Sequence, residues 1–167
     1  MPVSDQGIAE KRYMLVPRTL IFVTNEDQLL LIKGAANKRL WAGRYNGIGG
    51  HIERGEDILS AARRELDEET GIENVDLWLC GTVTIDTGQT PGIGLYIFRG
   101  EVPEQGALRP SEEGALVWVP QNELDDLPLV EDLFTLIPKV LAADRNIQPF
   151  SGHYCYDEKD QLLISFG

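Results

Sequence analysis

Residues 50–72 carry the pattern that most constrains this chain, G-x5-E-x7-R-E-L-x-E-E-x-G-I. Apolar residues recur every four positions within it, at Ile58, Ala62 and Leu66. This period predicts a helix over about residues 57–70 with one buried stripe. Gly71 stands where a glycine commonly ends a helix. The segment is therefore expected to form a glycine-rich loop, a helix and a second loop.

Three glutamates form a second face of this predicted helix. Glu65, Glu68 and Glu69 stand at positions i, i+3 and i+4, so their carboxylates lie close together and repel one another. A divalent cation between them would relieve the repulsion, and the lack of His or Cys in the set favours Mg²⁺ or Mn²⁺ over zinc. The alternative is an acidic helix face that is simply solvated. The spaced glycines and Glu56 around the cluster argue against that alternative.

The residues beside the glutamates fit the same interpretation. Arg64 precedes the first glutamate and can orient a carboxylate through a bidentate pair. The glycines before the helix let the backbone approach a ligand closely, and the Gly50 carbonyl can itself ligate a metal. Glu56, near the helix N-terminus, can interact with the helix dipole or orient a water.

With these residues the segment resembles the Nudix box of the Nudix hydrolases at every defined position. The resemblance implies an α/β fold, namely an α/β/α sandwich with a mixed sheet, in which the box is a loop–helix–loop that binds Mg²⁺. It implies hydrolysis of nucleoside diphosphates linked to another moiety. It also implies a metal-site set in which Arg64 orients the glutamates and the ligands are Glu65, Glu68, Glu69 and the Gly50 carbonyl.

Residues outside the box resemble one branch of this family, the mammalian-type triphosphatases of oxidised purine nucleotides. Residues 42–50, A-G-R-Y-N-G-I-G-G, are similar to the branch segment whose asparagine hydrogen-bonds the purine, which makes Asn46 the candidate here. The alternative for Asn46 is a turn residue that hydrogen-bonds its own backbone. Residues 111–113, S-E-E, lie shortly before Trp118 and resemble the branch segment that supplies a further metal-site glutamate. Glu113 is therefore the fourth glutamate candidate.

One departure from the branch concerns recognition of the base. The branch uses a tryptophan, a proline and two adjacent aspartates, whereas residues 129–132 here read L-V-E-D. Glu131 or Asp132 can still pair with a base edge, and helix N-terminal charge is an equally weighted alternative. The base would then stack on an aromatic side chain, for which the candidates are Trp41, Tyr45 and Phe134.

Basic residues near the expected phosphate path are few. Lys33, at the end of a predicted strand, is the candidate phosphate ligand, although isolated surface lysines usually stay solvated. The other basic residues in this region are Lys38, Arg39 and Arg44. Trp78, Tyr96 and Trp118 lie in predicted strands and are expected to be core residues, because aromatic side chains dominate burial.

Composition limits the partners and the location of the protein. Its 167 residues suit one compact domain over residues 1–167. A net charge of −12 argues against binding to nucleic acid polymers or anionic membranes, and a small-molecule nucleotide would arrive as a magnesium complex. The polar N-terminus and the lack of a long apolar run predict a cytoplasmic protein. Cys80 and Cys155 show no metal-type spacing and are expected to be reduced thiols. Oligomeric state is left open.

Apolar runs and turn residues predict the remaining elements. The expected strands cover residues 19–24, 28–33, 76–86, 93–102, 115–119, 150–156 and 161–165. A second helix is expected over about residues 131–143, with Pro138 kinking it.

The activity expected from this set is Mg²⁺-dependent or Mn²⁺-dependent hydrolysis of a nucleoside triphosphate to a monophosphate and pyrophosphate. The catalytic candidates are Arg64, Glu65, Glu68 and Glu56. Two alternatives stay open: a pyrophosphatase of ADP-ribose or another nucleoside diphosphate derivative, and a sensor that binds nucleotides without cleaving them. An intact box and an acidic chain count against the sensor.

Overall fold

The computed structural model describes residues 2–7, 12–36 and 41–167, so Lys38 and Arg39 lie outside the described residues. Within these ranges the chain forms one mixed sheet of eight strands. The strands are β1 (Leu15–Asn25), β2 (Gln28–Gly34), β3 (Tyr45–Asn46), β4 (Trp78–Ile85), β5 (Gly92–Glu101), β6 (Gly114–Pro120), β7 (Phe150–Tyr156) and β8 (Leu162–Phe166). All seven predicted strands are present.

The strand order is β3-β2-β1-β5-β4-β7-β8, with β6 pairing on β2. The β1/β5 and β4/β7 pairs are parallel and the other pairs are antiparallel. β1 begins at Leu15, four residues before the predicted residue 19, because residues 15–18 pair with the start of β5. Sequence alone could not show that partner, since β5 lies far along the chain.

The first helix, α1 (Ile58–Thr70), is the predicted helix of the box. Asp57 caps its N-terminus by accepting hydrogen bonds from the backbone N–H groups of Leu59 and Ser60. Gly71 caps its C-terminus and donates its N–H to the Asp67 carbonyl. Its apolar side packs on one face of the sheet, in a cluster that includes Ala62 and Leu66 from α1 and Ile21, Val23 and Leu30 from the strands. The loop–helix–loop prediction is confirmed.

The second helix, α2 (Leu133–Ala142), packs on the opposite face of the sheet. It starts two residues later than predicted and continues through Pro138 to Ala142. A short 3-10 helix, Gln121–Asp126, precedes it. The two helices on opposite faces confirm the predicted α/β/α sandwich.

The remaining predictions about the core also hold. Cys80 is fully buried and free, and its burial raises the pKa of the thiol to about 12. Cys155 is half-buried and free as well. Trp78, Tyr96 and Trp118 pack against the two core clusters. None of the helices in the described ranges is long and apolar enough to cross a membrane.

Candidate active site

Arg64 organises the acidic face of α1. Its guanidinium donates to both oxygens of Glu56, at 3.0 Å from Nε and 2.6 Å from Nη2. Nη1 donates to Glu65 Oε1 at 2.8 Å and to Glu68 Oε2 at 3.2 Å, while Nη2 also donates to the His51 carbonyl at 3.1 Å. These contacts lower the pKa of Glu56 and raise that of Arg64. Arg64 thus holds two of the predicted metal ligands and ties the helix to the loop before it.

The glycine loop brings two further contacts to the same place. A Cβ at Gly50 would lie 2.5 Å from Glu65 Oε1, so the bare Cα of Gly50 leaves the space that this carboxylate occupies. The Gly49 N–H donates to Glu69 Oε2 at 3.4 Å. The Gly50 carbonyl accepts the Thr19 N–H of β1 at 2.9 Å and keeps its second lone pair for another partner. The loop is therefore fixed between the sheet and the glutamates.

A cleft of about 790 Å³ opens beside this loop. Its lining includes Gly50, Glu65 and Glu69 of the box, and Glu113 just before β6. It also includes Asn46 of β3 and Glu131 and Asp132, which immediately precede α2. The structure therefore places seven of the predicted site residues around one cavity. A second cleft, of about 520 Å³ near the end of α2, contains none of them.

The donor set of the cleft fits a hard divalent cation. Glu65, Glu69, Glu113 and the Gly50 carbonyl supply oxygen atoms only, which is the chemistry of Mg²⁺ and Mn²⁺ sites. In the described part of the chain, no three Asp, Glu, His or Cys side chains already converge on a single point. Glu65 and Glu68 are turned toward Arg64 instead. Metal binding would therefore rotate these carboxylates.

The base-side candidates differ in their surroundings. Asn46 Oδ1 accepts the Gly47 N–H at 2.8 Å, so the turn contact that the sequence offered as an alternative is present, and the residue also lines the cleft. Asp132 makes no side-chain hydrogen bond to cap α2. Desolvation by burial, together with the charge of Glu131, raises the pKa of Asp132. Asp132 is thus a half-buried carboxyl that keeps its proton to higher pH than an exposed aspartate.

Four predicted residues do not line the cleft. Arg64, Glu56 and Glu68 lie behind the glutamates that do. Lys33 is exposed, with its Nζ 5.4 Å from the centre of the Tyr45 ring, and does not reach the cavity. Of the three stacking candidates only Trp41 lines the cleft, with 49% of its surface exposed.

Sequence reasoning missed several lining residues. Arg18, Thr19 and Leu20 of β1 and Tyr154 of β7 line the cleft although they lie far from the box in the chain. The Arg18 Nε and Tyr154 hydroxyl atoms are buried with no hydrogen-bond partner among the described residues. Arg18 lies outside the strand predicted over residues 19–24, and the sequence pattern does not reveal which strand face meets the cleft.

A family model for the NUDIX domain matches residues 14–140, which span β1 to α2 and include the whole box. The chain belongs to the Nudix hydrolase family. As a Nudix pyrophosphohydrolase it keeps each of the box glutamates and the arginine that holds them. This confirms the family predicted from the box.

Known proteins similar to this Nudix hydrolase include two vertebrate enzymes. A zebrafish (Danio rerio) oxidized purine nucleoside triphosphate hydrolase is 37% identical over 151 residues, covering 87% of this chain and 89% of the relative. The mouse (Mus musculus) enzyme of the same name is 29% identical over 146 residues, with the same coverage. Among solved structures, a mutator MutT protein from Bacillus halodurans superposes with a TM-score of 0.75 at 28% identity, covering 91% of this chain and 97% of that one.

Proposed function

We propose that this Nudix hydrolase cleaves a purine nucleoside triphosphate, with 8-oxo-dGTP as the first candidate, to a monophosphate and pyrophosphate in the presence of Mg²⁺. The observation that carries the proposal is the single cleft that joins the box glutamates to Asn46 and Asp132. The names of the zebrafish and mouse relatives support the same class of substrate.

The box side of the cleft is suited to the triphosphate. Glu65, Glu69, Glu113 and the Gly50 carbonyl would hold the cation. When bound, Mg²⁺ supplies Lewis-acid activation of the attacking water and neutralises charge that develops on the leaving pyrophosphate. Arg64 keeps Glu65 and Glu68 aligned, and the Glu65 carboxylate is pressed against Gly50, so these residues position the metal site rather than contact the base.

The lining residues Asn46, Asp132 and Trp41 are suited to a purine. Since Asn46 Oδ1 takes the Gly47 N–H, its amide nitrogen is the group that can donate to a purine acceptor. Asp132 lines the same cleft, and its carboxyl can pair with a base edge; desolvation by burial raises its pKa. Trp41, half exposed at the cleft, offers a ring for stacking. Asp132 and Trp41 would take over the part of the tryptophan and paired aspartates that residues 129–132 lack.

The test is pyrophosphate release from 8-oxo-dGTP and dGTP in parallel, with AMP formation from ADP-ribose as the third substrate. Glu69→Gln should reduce kcat by at least about 100-fold, because it removes a charged group of the cleft without changing its shape. Glu73→Gln is the matched control, because Glu73 is an exposed residue just beyond α1 and outside the cleft.

We expect faster turnover of 8-oxo-dGTP than of ADP-ribose. This turnover of 8-oxo-dGTP should be lost in Glu69→Gln and kept in Glu73→Gln. Cleavage of ADP-ribose in preference to both triphosphates would refute the substrate assignment. Nucleotide binding without cleavage of any of the three would instead support the sensor.

A further inference from the structure

Arg18 is a cationic residue that lines the cleft. It lies on β1 with its side chain on the same face as Leu20, and both line the cavity. Its Nε is buried and has no hydrogen-bond partner, and no ion pair involves its guanidinium within the described ranges. A partly desolvated guanidinium without a partner costs free energy, so a bound anion would be its natural counterpart.

The backbone around Arg18 places it next to the box. The backbone of Arg18 forms an isolated antiparallel β-bridge with that of His51, the residue that follows Gly50. The next residue, Thr19, donates its N–H to the Gly50 carbonyl at 2.9 Å, and the Glu65 carboxylate rests against Gly50. Arg18 therefore stands at the metal end of the cleft, where the phosphate chain of a nucleotide would lie if Glu65 and Glu69 held its cation.

The other basic candidates are already engaged or absent from the cleft. Arg44 lines the cavity, but its Nη1 donates to the Leu129 carbonyl at 3.1 Å. Lys33 contacts the Tyr45 ring outside the cavity. Six acidic residues line the cleft, and none of them forms an ion pair with Arg18 among the described residues. Its fork of donors is thus available for a ligand with matching acceptors, as phosphate oxygens are.

We propose that the Arg18 guanidinium binds the phosphate chain of the nucleotide at the end of the cleft where the glutamates would hold the cation. This assignment rests on the proposed function, because it takes the ligand of the cleft to be a nucleotide. It replaces Lys33 as the phosphate ligand expected from the sequence.

The experiment is titration calorimetry of inorganic pyrophosphate with saturating Mg²⁺ into the wild type, Arg18→Gln, Arg18→Lys and Arg63→Gln. Arg63 is an exposed arginine of α1 outside the cleft, so Arg63→Gln matches the charge change without touching the site. The nucleoside 8-oxo-deoxyguanosine, which has no phosphate, is titrated in parallel. Thermal unfolding of each variant shows whether it is folded.

We expect Arg18→Gln to raise the Kd for pyrophosphate by about 10-fold to 100-fold, the range of hydrogen bonds to charged groups. Arg18→Lys should recover part of the affinity, and Arg63→Gln should match the wild type. The Kd for the nucleoside should stay within about twofold, since no phosphate is involved. The unfolding temperature of Arg18→Gln should not fall, because the buried Nε of the Arg18 side chain has no hydrogen-bond partner among the described residues. If Arg18→Gln does not fold, Arg18→Lys carries the comparison.

Equal pyrophosphate affinity in the wild type and Arg18→Gln would overturn the assignment, as would a loss confined to the nucleoside, which would place Arg18 at the base. An equal loss of pyrophosphate affinity in Arg63→Gln would show that the loss in Arg18→Gln comes from net charge alone, and it would overturn the assignment as well. Failure of the proposed function has a different signature: Arg18-dependent pyrophosphate binding in a protein that hydrolyses no nucleoside triphosphate.

Discussion

Replacing Arg64 by methionine tests whether this residue holds the box together. The guanidinium makes five hydrogen bonds to Glu56, Glu65, Glu68 and the His51 carbonyl, and its side chain is 30% exposed. Exposed ion pairs contribute up to about 1 kcal/mol each, and hydrogen bonds to charged groups about 1.5–3 kcal/mol when shielded. Solvent partly screens this network, but breaking it removes the arginine from three carboxylates. We therefore expect Arg64→Met to lower the free energy of unfolding by about 2 kcal/mol.

Thermal unfolding in the absence of divalent cation measures this loss. A change of about 2 kcal/mol corresponds to a drop of roughly 4–8 °C in Tm for a chain of this size. Arg63→Met is the matched control on the preceding residue of α1, where the side chain is exposed, and it should change stability by less than about 0.5 kcal/mol. Equal Tm values for the two variants would refute the reasoning.

The pH dependence provides a second measure of the same network. Hydrogen bonds from Arg64 lower the pKa of Glu56 below its ordinary value of 4.5 in the folded protein. The stabilisation is therefore fully present above about pH 4.5 and is lost as the pH falls through the lowered pKa. The Tm difference between Arg64→Met and the wild type should shrink in that window. A difference that is constant down to pH 3 would exclude Glu56 as the partner that matters.

Three further changes have definite expected outcomes. Gly49→Ala should lower the free energy of unfolding in urea by about 3 kcal/mol or more, because φ is +149° there and a Cβ would overlap the Thr19 carbonyl. Gly43→Ala is the comparison: with φ +71° and open space around a Cβ, it should lower that free energy by only about 1–2 kcal/mol. Tyr154→Phe should stabilise the free protein by about 1 kcal/mol, because it removes a buried hydroxyl that lacks a partner; a destabilised variant would show that this hydroxyl is satisfied in solution. Mg²⁺ at about 100 times its Kd should raise the stability by about 2.7 kcal/mol, reversed by EDTA, and an unchanged Tm would argue against a metal site in the folded protein.

The box was predictable because its information is local. The four-residue period of Ile58, Ala62 and Leu66 specifies a helix, and Gly71 ends it, without reference to the rest of the chain. Seven of the eight strands of the described residues were also identified, since their apolar runs and turns are short-range signals, whereas the two-residue β3 carries no such run. Pairing is not short-range, so the first four residues of β1 were assigned to a strand only by their contact with β5.

The same argument explains the failures at the site. Lys33 and Ile32 are adjacent in β2, yet Ile32 lines the cleft and Lys33 does not, because alternate residues of a strand point to opposite faces. Sequence placed Lys33 near the phosphate path but could not assign its face. Arg18 was missed because its cleft neighbours come from the box loop and from elements at the end of the chain.

The two arginines of the site carry out opposite parts of one arrangement. The Arg64 guanidinium donates hydrogen bonds to carboxylates of the protein itself, so it fixes the glutamates and adds to stability. The buried Arg18 Nε has no hydrogen-bond partner among the described residues. The Tyr154 hydroxyl, which also lacks one, belongs to a residue of the same cleft. Folded proteins rarely leave buried polar groups unsatisfied. If a nucleotide binds as proposed, its phosphate oxygens would supply the partner that the Arg18 Nε lacks in the free protein, so the cost of burying that atom would be recovered on binding.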